Sequence, residues 1–223
     1  MKKLISLITT TLFILSLIGC SADVQETTVD TTTTVVTQQD ETSEPDSEPT
    51  VTETNDDEPS EADGVLVVVF SATGNTRGVA KKLADITDAD LYEIEAAEPY
   101  TDDDRDWTNN DSRCSIEQGD DSVRPAISSD PIDLSGYSVV FIGYPIWFAE
   151  EPRIMDTFVE SYDFDGITVI PFCTSGSSGI GSSGKNLEEN AGSGTWLEGA
   201  RFSSDVTETE LQQWIDGLPG LGL

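Results

Sequence analysis

The clearest chemical signal is a run of hydroxyl side chains around one glycine, Ser71-Ala72-Thr73-Gly74-Asn75-Thr76. It lies between an apolar run (64–70) and a helical pattern that begins after Thr76. Hydroxyls beside the unpaired N–H groups of a helix start favour an anion, and Gly74 permits close backbone approach. Because the stretch has no lysine of a nucleotide P-loop, it suits one terminal phosphate better than a magnesium-bound triphosphate. A capped strand-to-helix turn is the alternative.

This stretch resembles the phosphate-binding loop of flavodoxins, Ser/Thr-x-Thr-Gly-Asn/Ser-Ser/Thr, and the resemblance extends over residues 64–218. It implies non-covalent binding of flavin mononucleotide (FMN), with the phosphate held by Ser71, Ala72, Thr73, Gly74, Asn75 and Thr76. It also implies an α/β fold, a doubly wound five-stranded parallel sheet of order 2-1-3-4-5 with helices on both faces.

A second loop, within FIGYPIWFAEEP, follows the third predicted strand, where flavodoxins contact the flavin. The resemblance implies cofactor contacts from Tyr144, Pro145, Ile146, Trp147, Phe148 and Ala149. Trp147 is the predicted stacking residue, with an aromatic core as the alternative. Glu150 and Glu151 are expected either at the cofactor rim, where they would lower the flavin potential, or as solvated charges.

The glycine-rich third loop matches two phosphate-binding patterns, G-x-G-x-x-G at 179–184 and G-x-x-x-x-G-K at 179–185. Asn186 stands where the second pattern needs Ser or Thr for magnesium, and the first belongs after an opening strand. The resemblance places the flavin edge here instead, bound by Thr174, Ser175, Gly176 and Gly179. With no aromatic between Phe172 and Trp196, one flavin face is covered by Ile180 or Trp107, or stays open.

Strands and helices alternate along the folded part. Apolar strands are predicted at 64–70, 138–144 and 167–172, weaker strands at 90–95 and 198–203, and helices after Thr76, from Pro152, near 183–191 and after the capping box Thr207–Glu210. Continuous apolar strands indicate a parallel sheet covered on both faces. Residues 96–135 lack clear periodicity and are predicted to be an irregular insertion.

The chain has a net charge of −32 and no histidine, and residues 64–223 hold nine basic and 29 acidic side chains. Such a surface repels nucleic acid and favours basic redox partner proteins or small electron acceptors. Without an obvious acid–base pair, any chemistry would be the cofactor's. Arg124 and Lys185 are expected to be solvated or structural, and a bridge between Cys114 and Cys173 depends on their geometry.

The N-terminal region predicts export and anchoring. Residues 1–20 combine Lys2 and Lys3 with an apolar run, and end in Leu-Ile-Gly-Cys, which resembles a lipoprotein signal peptide cut before Cys20. Lipidation of Cys20 would hold the protein at the extracytoplasmic face of the cell membrane. The alternatives are an ordinary signal peptide with an incidental cysteine and an uncleaved anchor. Residues 21–63 contain fourteen acids and no Lys or Arg, which is typical of a disordered tether to the domain at 64–223.

The functional expectation is a membrane-anchored electron carrier that binds FMN. Two alternatives remain at this point: an FMN-dependent reductase of NAD(P)H and quinone type, and a flavin-free binding module on the same scaffold.

Overall fold

The apolar runs of the sequence form neighbouring parallel strands in the computed structural model, which describes residues 62–221. The predicted signal peptide with Cys20 and nearly all of the predicted tether lie outside the described residues. The strands are β1 (Gly64–Phe70), β2 (Asp90–Ile94), β3 (Tyr137–Pro145), β4 (Thr168–Thr174), β5 (Thr195–Trp196) and β6 (Ala200–Phe202). The helices are α1 (Asn75–Thr87), α2 (Arg113–Gln118), α3 (Arg153–Val159), α4 (Ser183–Ala191) and α5 (Glu208–Asp216).

The sheet has the order β2-β1-β3-β4-β5, and every strand pair in it is parallel. The predicted fold class and strand order are therefore confirmed. The buried positions of β1 and β3 are apolar apart from the hydroxyl of Tyr144, because both faces of the sheet are covered. Leu66 and Val68 pack on the face that carries α3 and α4, whereas Val67 and Val69 pack on the face that carries α1 and α5.

Of the two short strands at the fifth position in the sheet, β6 lies within the predicted strand at 198–203, and β5 was not predicted. Trp196 of β5 lies opposite Val169, and Ala200 of β6 lies opposite Phe172. The outer segment therefore spans four residues where β4 spans three, which is a β-bulge. Pro171 lies at this point of β4 and has no N–H for the ladder, so the edge strand breaks beside it.

The segment predicted as an irregular insertion, 96–135, is ordered and contains α2. The side chain of Ser112 caps this helix by accepting the N–H of Ser115. The two ends of the segment pair beside β2, where Ala97 N–H donates to Ala126 O (2.9 Å) and Ser128 N–H donates to Glu95 O (2.8 Å). Only six residues are helical, which is too short a run for periodicity to be visible in the sequence.

Local residues mark the starts of α5 and α3. Thr207 and Glu210 form the predicted capping box of α5. Pro152 is the N-cap of α3. Within residues 62–221, no helix is both long and apolar enough to cross a membrane.

Candidate functional site

The loop after β1 leaves the start of α1 open to an anion. Gly74 is the N-cap, with φ 85°, and no side chain caps the helix. The first N–H groups of α1 therefore have no acceptor within the helix. Ser71, nine-tenths buried, has a hydroxyl oxygen without a hydrogen-bond partner. Positive φ at Gly74 explains the glycine, since a residue with a Cβ is strained there.

Thr174, the last residue of β4, joins this loop to the one after β3. Its hydroxyl lies 2.8 Å from the Thr76 hydroxyl, and both side chains are buried. Its carbonyl accepts the N–H of Ile146 at 3.1 Å. The three loops predicted to surround the cofactor therefore meet at the carboxyl edge of the sheet, where doubly wound sheets bind ligands.

The loop after β3 contains a tight turn, Trp147–Glu150, which exposes an aromatic ring and which we call the aromatic turn. Trp147 and Glu150 exchange backbone hydrogen bonds in both directions, each 2.9 Å long. Phe148 and Ala149 between them have φ values of 50° and 70°, a two-residue turn normally built from Asn and Gly. Each non-glycine residue with positive φ costs about 1–3 kcal/mol, and such strain is concentrated at functional sites. The turn leaves half of the Phe148 side chain exposed.

The predicted stacking residue, Trp147, has aromatic neighbours on the core side. Its ring meets Phe70 and Tyr100 edge-on, at centroid distances of 5.8 Å and 5.0 Å. Tyr100 is in turn covered by the Arg113 guanidinium, 3.9 Å from its ring centroid, and donates to Glu117 at 2.7 Å. Burial, together with the hydrogen bond to Glu117, raises the pKa of the Tyr100 phenol. These contacts hold Trp147 at the edge of the core, half-buried, where it also lines a surface cleft.

That cleft has a volume of about 200 Å³ and lies between the first two loops and the 96–135 segment. Its lining residues are Ser71, Ala72, Thr73, Thr76, Arg105, Trp107, Cys114, Pro145, Ile146, Trp147 and Phe148. Trp107 is 73% exposed, so its ring stands at the cleft with most of its surface in solvent. The segment without a predicted role therefore forms one wall of the candidate site.

The flavodoxin family model matches residues 64–218, which is more than half of the chain. The chain belongs to the flavodoxin family. Two solved structures described as flavoproteins, from Bacteroides eggerthii and Bacteroides uniformis, are 44% and 43% identical to it, with TM-scores of 0.65 and 0.66. Each similarity covers 69% of this chain, and 96% and 97% of the respective neighbour.

A more distant solved structure is a flavoprotein from Lactobacillus acidophilus NCFM in complex with FMN. It is 23% identical, with a TM-score of 0.52, and the match covers 68% of this chain and 98% of that one. At this identity the likeness shows the shared fold alone. None of the curated proteins matches the chain significantly. The predicted family and its cofactor class are confirmed by these findings.

The cleft of this flavodoxin fits a phosphorylated, aromatic ligand. Ser71 supplies a buried hydroxyl without a partner, beside the open N-terminus of α1. Three aromatic side chains, Trp107, Trp147 and Phe148, line the same space. Because a phosphate needs donors and a flavin ring needs apolar faces, the residues present fit FMN.

Half of the predicted cofactor residues line the cleft, and the others support it or lie apart. The predicted residues outside the lining are Gly74, Asn75, Tyr144, Ala149, Thr174, Ser175, Gly176 and Gly179. Gly74 and Asn75 still form the helix start, and Ala149 completes the aromatic turn. The Ser175 hydroxyl accepts a hydrogen bond from Nε of Arg201 at 3.2 Å.

Tyr144 departs from the prediction, because its side chain belongs to the core. The ring is fully buried, and its hydroxyl lies 2.9 Å from the Ser183 hydroxyl at the start of α4. Ile180 likewise lies away from the cleft, with its side chain against Gly199 at the broken edge of the sheet. Of the two residues expected to cover an open flavin face, only Trp107 is placed to do so.

Gly184 and Lys185, which complete the G-x-x-x-x-G-K pattern of the third loop, have structural roles. Gly184 lies within α4, where a Cβ would stand 2.9 Å from the Pro171 side chain, so glycine allows the helix to approach β4. Lys185 is 74% exposed and pairs with Glu189 on the same helix at 3.4 Å. Neither residue is arranged to cradle a phosphate.

Glu150 and Glu151 face a polar cluster behind the aromatic turn instead of the cleft. Arg153 contacts Glu150 at 3.0 Å and lies 3.8 Å from Glu151. Glu151 is fully buried and accepts two hydrogen bonds from the Asn186 amide (3.3 and 3.2 Å). Burial raises the pKa of Glu151 to about 7. These two carboxylates therefore have a structural role and do not lie at the cleft, where they were expected to lower the flavin potential.

Gln118 connects this cluster to the loop after β3. The Gln118 amide donates to the carbonyls of Trp147 (3.4 Å) and Glu151 (3.0 Å), which ties α2 to both sides of the aromatic turn. Arg124 pairs with Glu160 at 2.6 Å, which is the structural role expected for it.

The two cysteines among residues 62–221, Cys114 and Cys173, are free thiols. Cys173 lies within the core on β4, and burial raises its pKa to about 12, which keeps it protonated at neutral pH. Cys114 lies on α2 and lines the cleft. Cys114 and Arg105 were not predicted as site residues. The one sequence signal that could have indicated Arg105 is its position as the single arginine within the acidic run Asp102–Asp106.

Proposed function

We propose that this flavodoxin is an electron-transfer protein that binds FMN in the cleft between its first two loops and the 96–135 segment. The observation that carries the proposal is the buried Ser71 hydroxyl, which lacks a partner and lines that cleft beside the open end of α1. When bound, FMN supplies one- and two-electron redox chemistry.

The chain's own residues would bind and orient the cofactor. The α1 N-terminus, Ser71 and Thr73 would hold the phosphate, and Thr76 would be kept in place by its contact with Thr174. The aromatic turn at Trp147 and Phe148 would exclude water from one side of the ring. Only Arg105 and Cys114 are titratable among the lining residues, and the chain has no histidine, so the site supplies no acid–base pair.

A visible spectrum tests the cofactor. The full chain, purified in detergent and incubated with FMN, should be yellow after free flavin is removed and should quench FMN fluorescence. A colourless protein that leaves FMN fluorescence unchanged would refute both redox functions and favour the flavin-free binding module.

One observation favours a second candidate function, a reductase of NAD(P)H and quinone type. No residue of the loop after β4 lines the cleft, so that loop leaves the cleft open to a small substrate such as a quinone. Steady-state turnover with NAD(P)H and a quinone separates the two functions, because a carrier alone should show negligible turnover without a partner reductase.

We infer that the partners of the carrier are proteins with basic surfaces or small electron acceptors. Residues 64–223 carry 29 acidic side chains against nine basic ones, which favours basic partners and disfavours nucleic acid. Electron transfer to a basic partner should slow as salt is added, because screening weakens charge steering.

Membrane anchoring through Cys20 is part of this proposal. The anchor is supported by the position of Cys20, which ends the predicted signal peptide, and by the acidic stretch of 43 residues, 21–63, that follows it and is predicted to be a tether. The protein would then be displayed at the extracytoplasmic face of the cell membrane. Incorporation of a labelled fatty acid in cells, lost in Cys20→Ser, tests the anchor.

A further inference from the structure

Two hydrogen-bond donors without partners lie in the same cleft. Among the described residues, the buried side-chain atoms without a partner are Ser71 Oγ, Arg105 Nε, Gln118 Oε1 and Arg153 Nε. Ser71 and Arg105 both line the cleft. A buried polar group left unpaired costs about 1–3 kcal/mol, so two such groups in one cleft indicate a ligand that pairs with them.

The chemistry of the two groups defines the part of the ligand that they bind. Arginine Nε can only donate a hydrogen bond, and a serine hydroxyl can donate one. Both groups therefore suit an acceptor, and the fixed charge of arginine makes an anion the best match. Arg105 is the one basic residue among those that line the cleft, and the stretch from Ser71 to Thr76 contains none.

The fold holds Arg105 in position without consuming its charge. Its backbone N–H donates to Asp102 O at 3.2 Å, and the Asp104 carbonyl accepts the N–H of Cys114 on α2 at 2.9 Å. The guanidinium also pairs with the Asp102 carboxylate, which is 97% exposed. Because an ion pair with so exposed a carboxylate is weak, the guanidinium remains available to a ligand.

We propose that Arg105 binds the phosphate of FMN together with Ser71, and thereby makes this protein select FMN over riboflavin. The inference rests on the proposed FMN-binding function. It gives the 96–135 segment a specific task, which is to add a fixed positive charge to a phosphate site whose own loop has none.

The test compares the two flavins, which differ only in the phosphate. FMN and riboflavin are titrated into flavin-free full chain in detergent, with flavin fluorescence as the readout. In Arg105→Gln, the Kd for FMN should rise about 10- to 100-fold, as expected for loss of a charge-assisted hydrogen bond. The Kd for riboflavin should change less than about twofold, because riboflavin has no phosphate for Arg105 to bind. Arg105→Lys should retain part of the preference for FMN.

Lys185→Gln is the control, because it also removes one positive charge. Lys185 is 74% exposed, pairs with Glu189 and does not line the cleft, so both flavins should bind as in the wild type. An equal loss of affinity for both flavins in Arg105→Gln would indicate a structural role and overturn the inference. Unchanged FMN affinity would also overturn it.

A second measurement needs no variant. Inorganic phosphate should compete with FMN, but not with riboflavin, for the wild-type protein, and FMN binding alone should weaken as salt is added. Riboflavin and FMN binding with equal affinity and equal salt dependence would contradict the role of Arg105. A wild-type protein that binds neither flavin would refute the proposed function itself.

Discussion

The hydroxyl of Thr174 lies 2.8 Å from the hydroxyl of Thr76, across 98 residues of sequence. This buried contact joins the end of β4 to the first turn of α1, and the Thr174 carbonyl also holds Ile146. Thr174 thus contacts both of the other loops, which line the cleft, although it does not line the cleft itself.

Replacing Thr174 with valine should therefore affect both stability and cofactor binding. Thr174→Val leaves the buried Thr76 hydroxyl unpaired, so the free energy of unfolding should fall by about 1–3 kcal/mol. FMN affinity should fall several-fold because the first loop is released. Denaturant unfolding and FMN titration measure the two effects. Thr174→Ser, which keeps the hydroxyl, is the control, and an equal loss in the serine variant would contradict the role of the hydrogen bond.

Alanine variants of the two cleft tryptophans should separate the contribution of a ring to flavin stacking from its contribution to core packing. Trp147 contacts Phe70 and Tyr100, so Trp147→Ala should lower the free energy of unfolding by about 2–4 kcal/mol and also weaken FMN binding. Trp107 is 73% exposed, so Trp107→Ala should weaken FMN binding with little change in the free energy of unfolding. Unchanged FMN affinity in Trp147→Ala would refute the predicted stacking role of that residue.

Gly184 should prove structural although it completes a phosphate-binding pattern. A Cβ there would lie 2.9 Å from Pro171, so Gly184→Ala should lower the free energy of unfolding by about 1–3 kcal/mol through overpacking. Gly136→Ala, at a site where a Cβ meets nothing within 4 Å, is the control. A Gly184→Ala variant of normal stability that no longer binds FMN would show that the glycine contacts the cofactor.

Glu151 should make the stability of the protein decrease as pH rises. Its pKa in the folded protein, about 7, is above the ordinary value of 4.5, so the folded state binds the proton more tightly. The contribution of this group is complete below about pH 4.5 and is lost as pH rises to about 7.

Glu151→Gln should remove that loss. Near pH 8 the variant should be more stable than the wild type by about 1–2 kcal/mol, and the difference should shrink towards pH 5. Denaturant unfolding at several pH values measures this, with Glu188→Gln on the exposed face of α4 as the control. A constant difference between wild type and Glu151→Gln across this range would show that Glu151 does not titrate as described.

Much of the fold was predictable because its signals are local. All five predicted strands match observed strands within two residues at each end, and the three strongest are continuous apolar runs, which are typical of strands buried on both faces. The hydroxyl-rich loop before α1 and the capping box of α5 are likewise readable from neighbouring residues. The break between β5 and β6 was less predictable, because it depends on Pro171 in another strand.

The amino-acid sequence by itself determined the strand order, through the family resemblance, and the position of the loop that is predicted to bind a phosphate. Only the tertiary structure decided which side chains face the cleft. Trp147 lies between the core and the cleft, Tyr144 points into the core, and Glu151 is buried behind the turn. Arg105 reaches the site because long-range contacts place its segment there. Such contacts join residues far apart in the chain, so no local pattern of residues reports them.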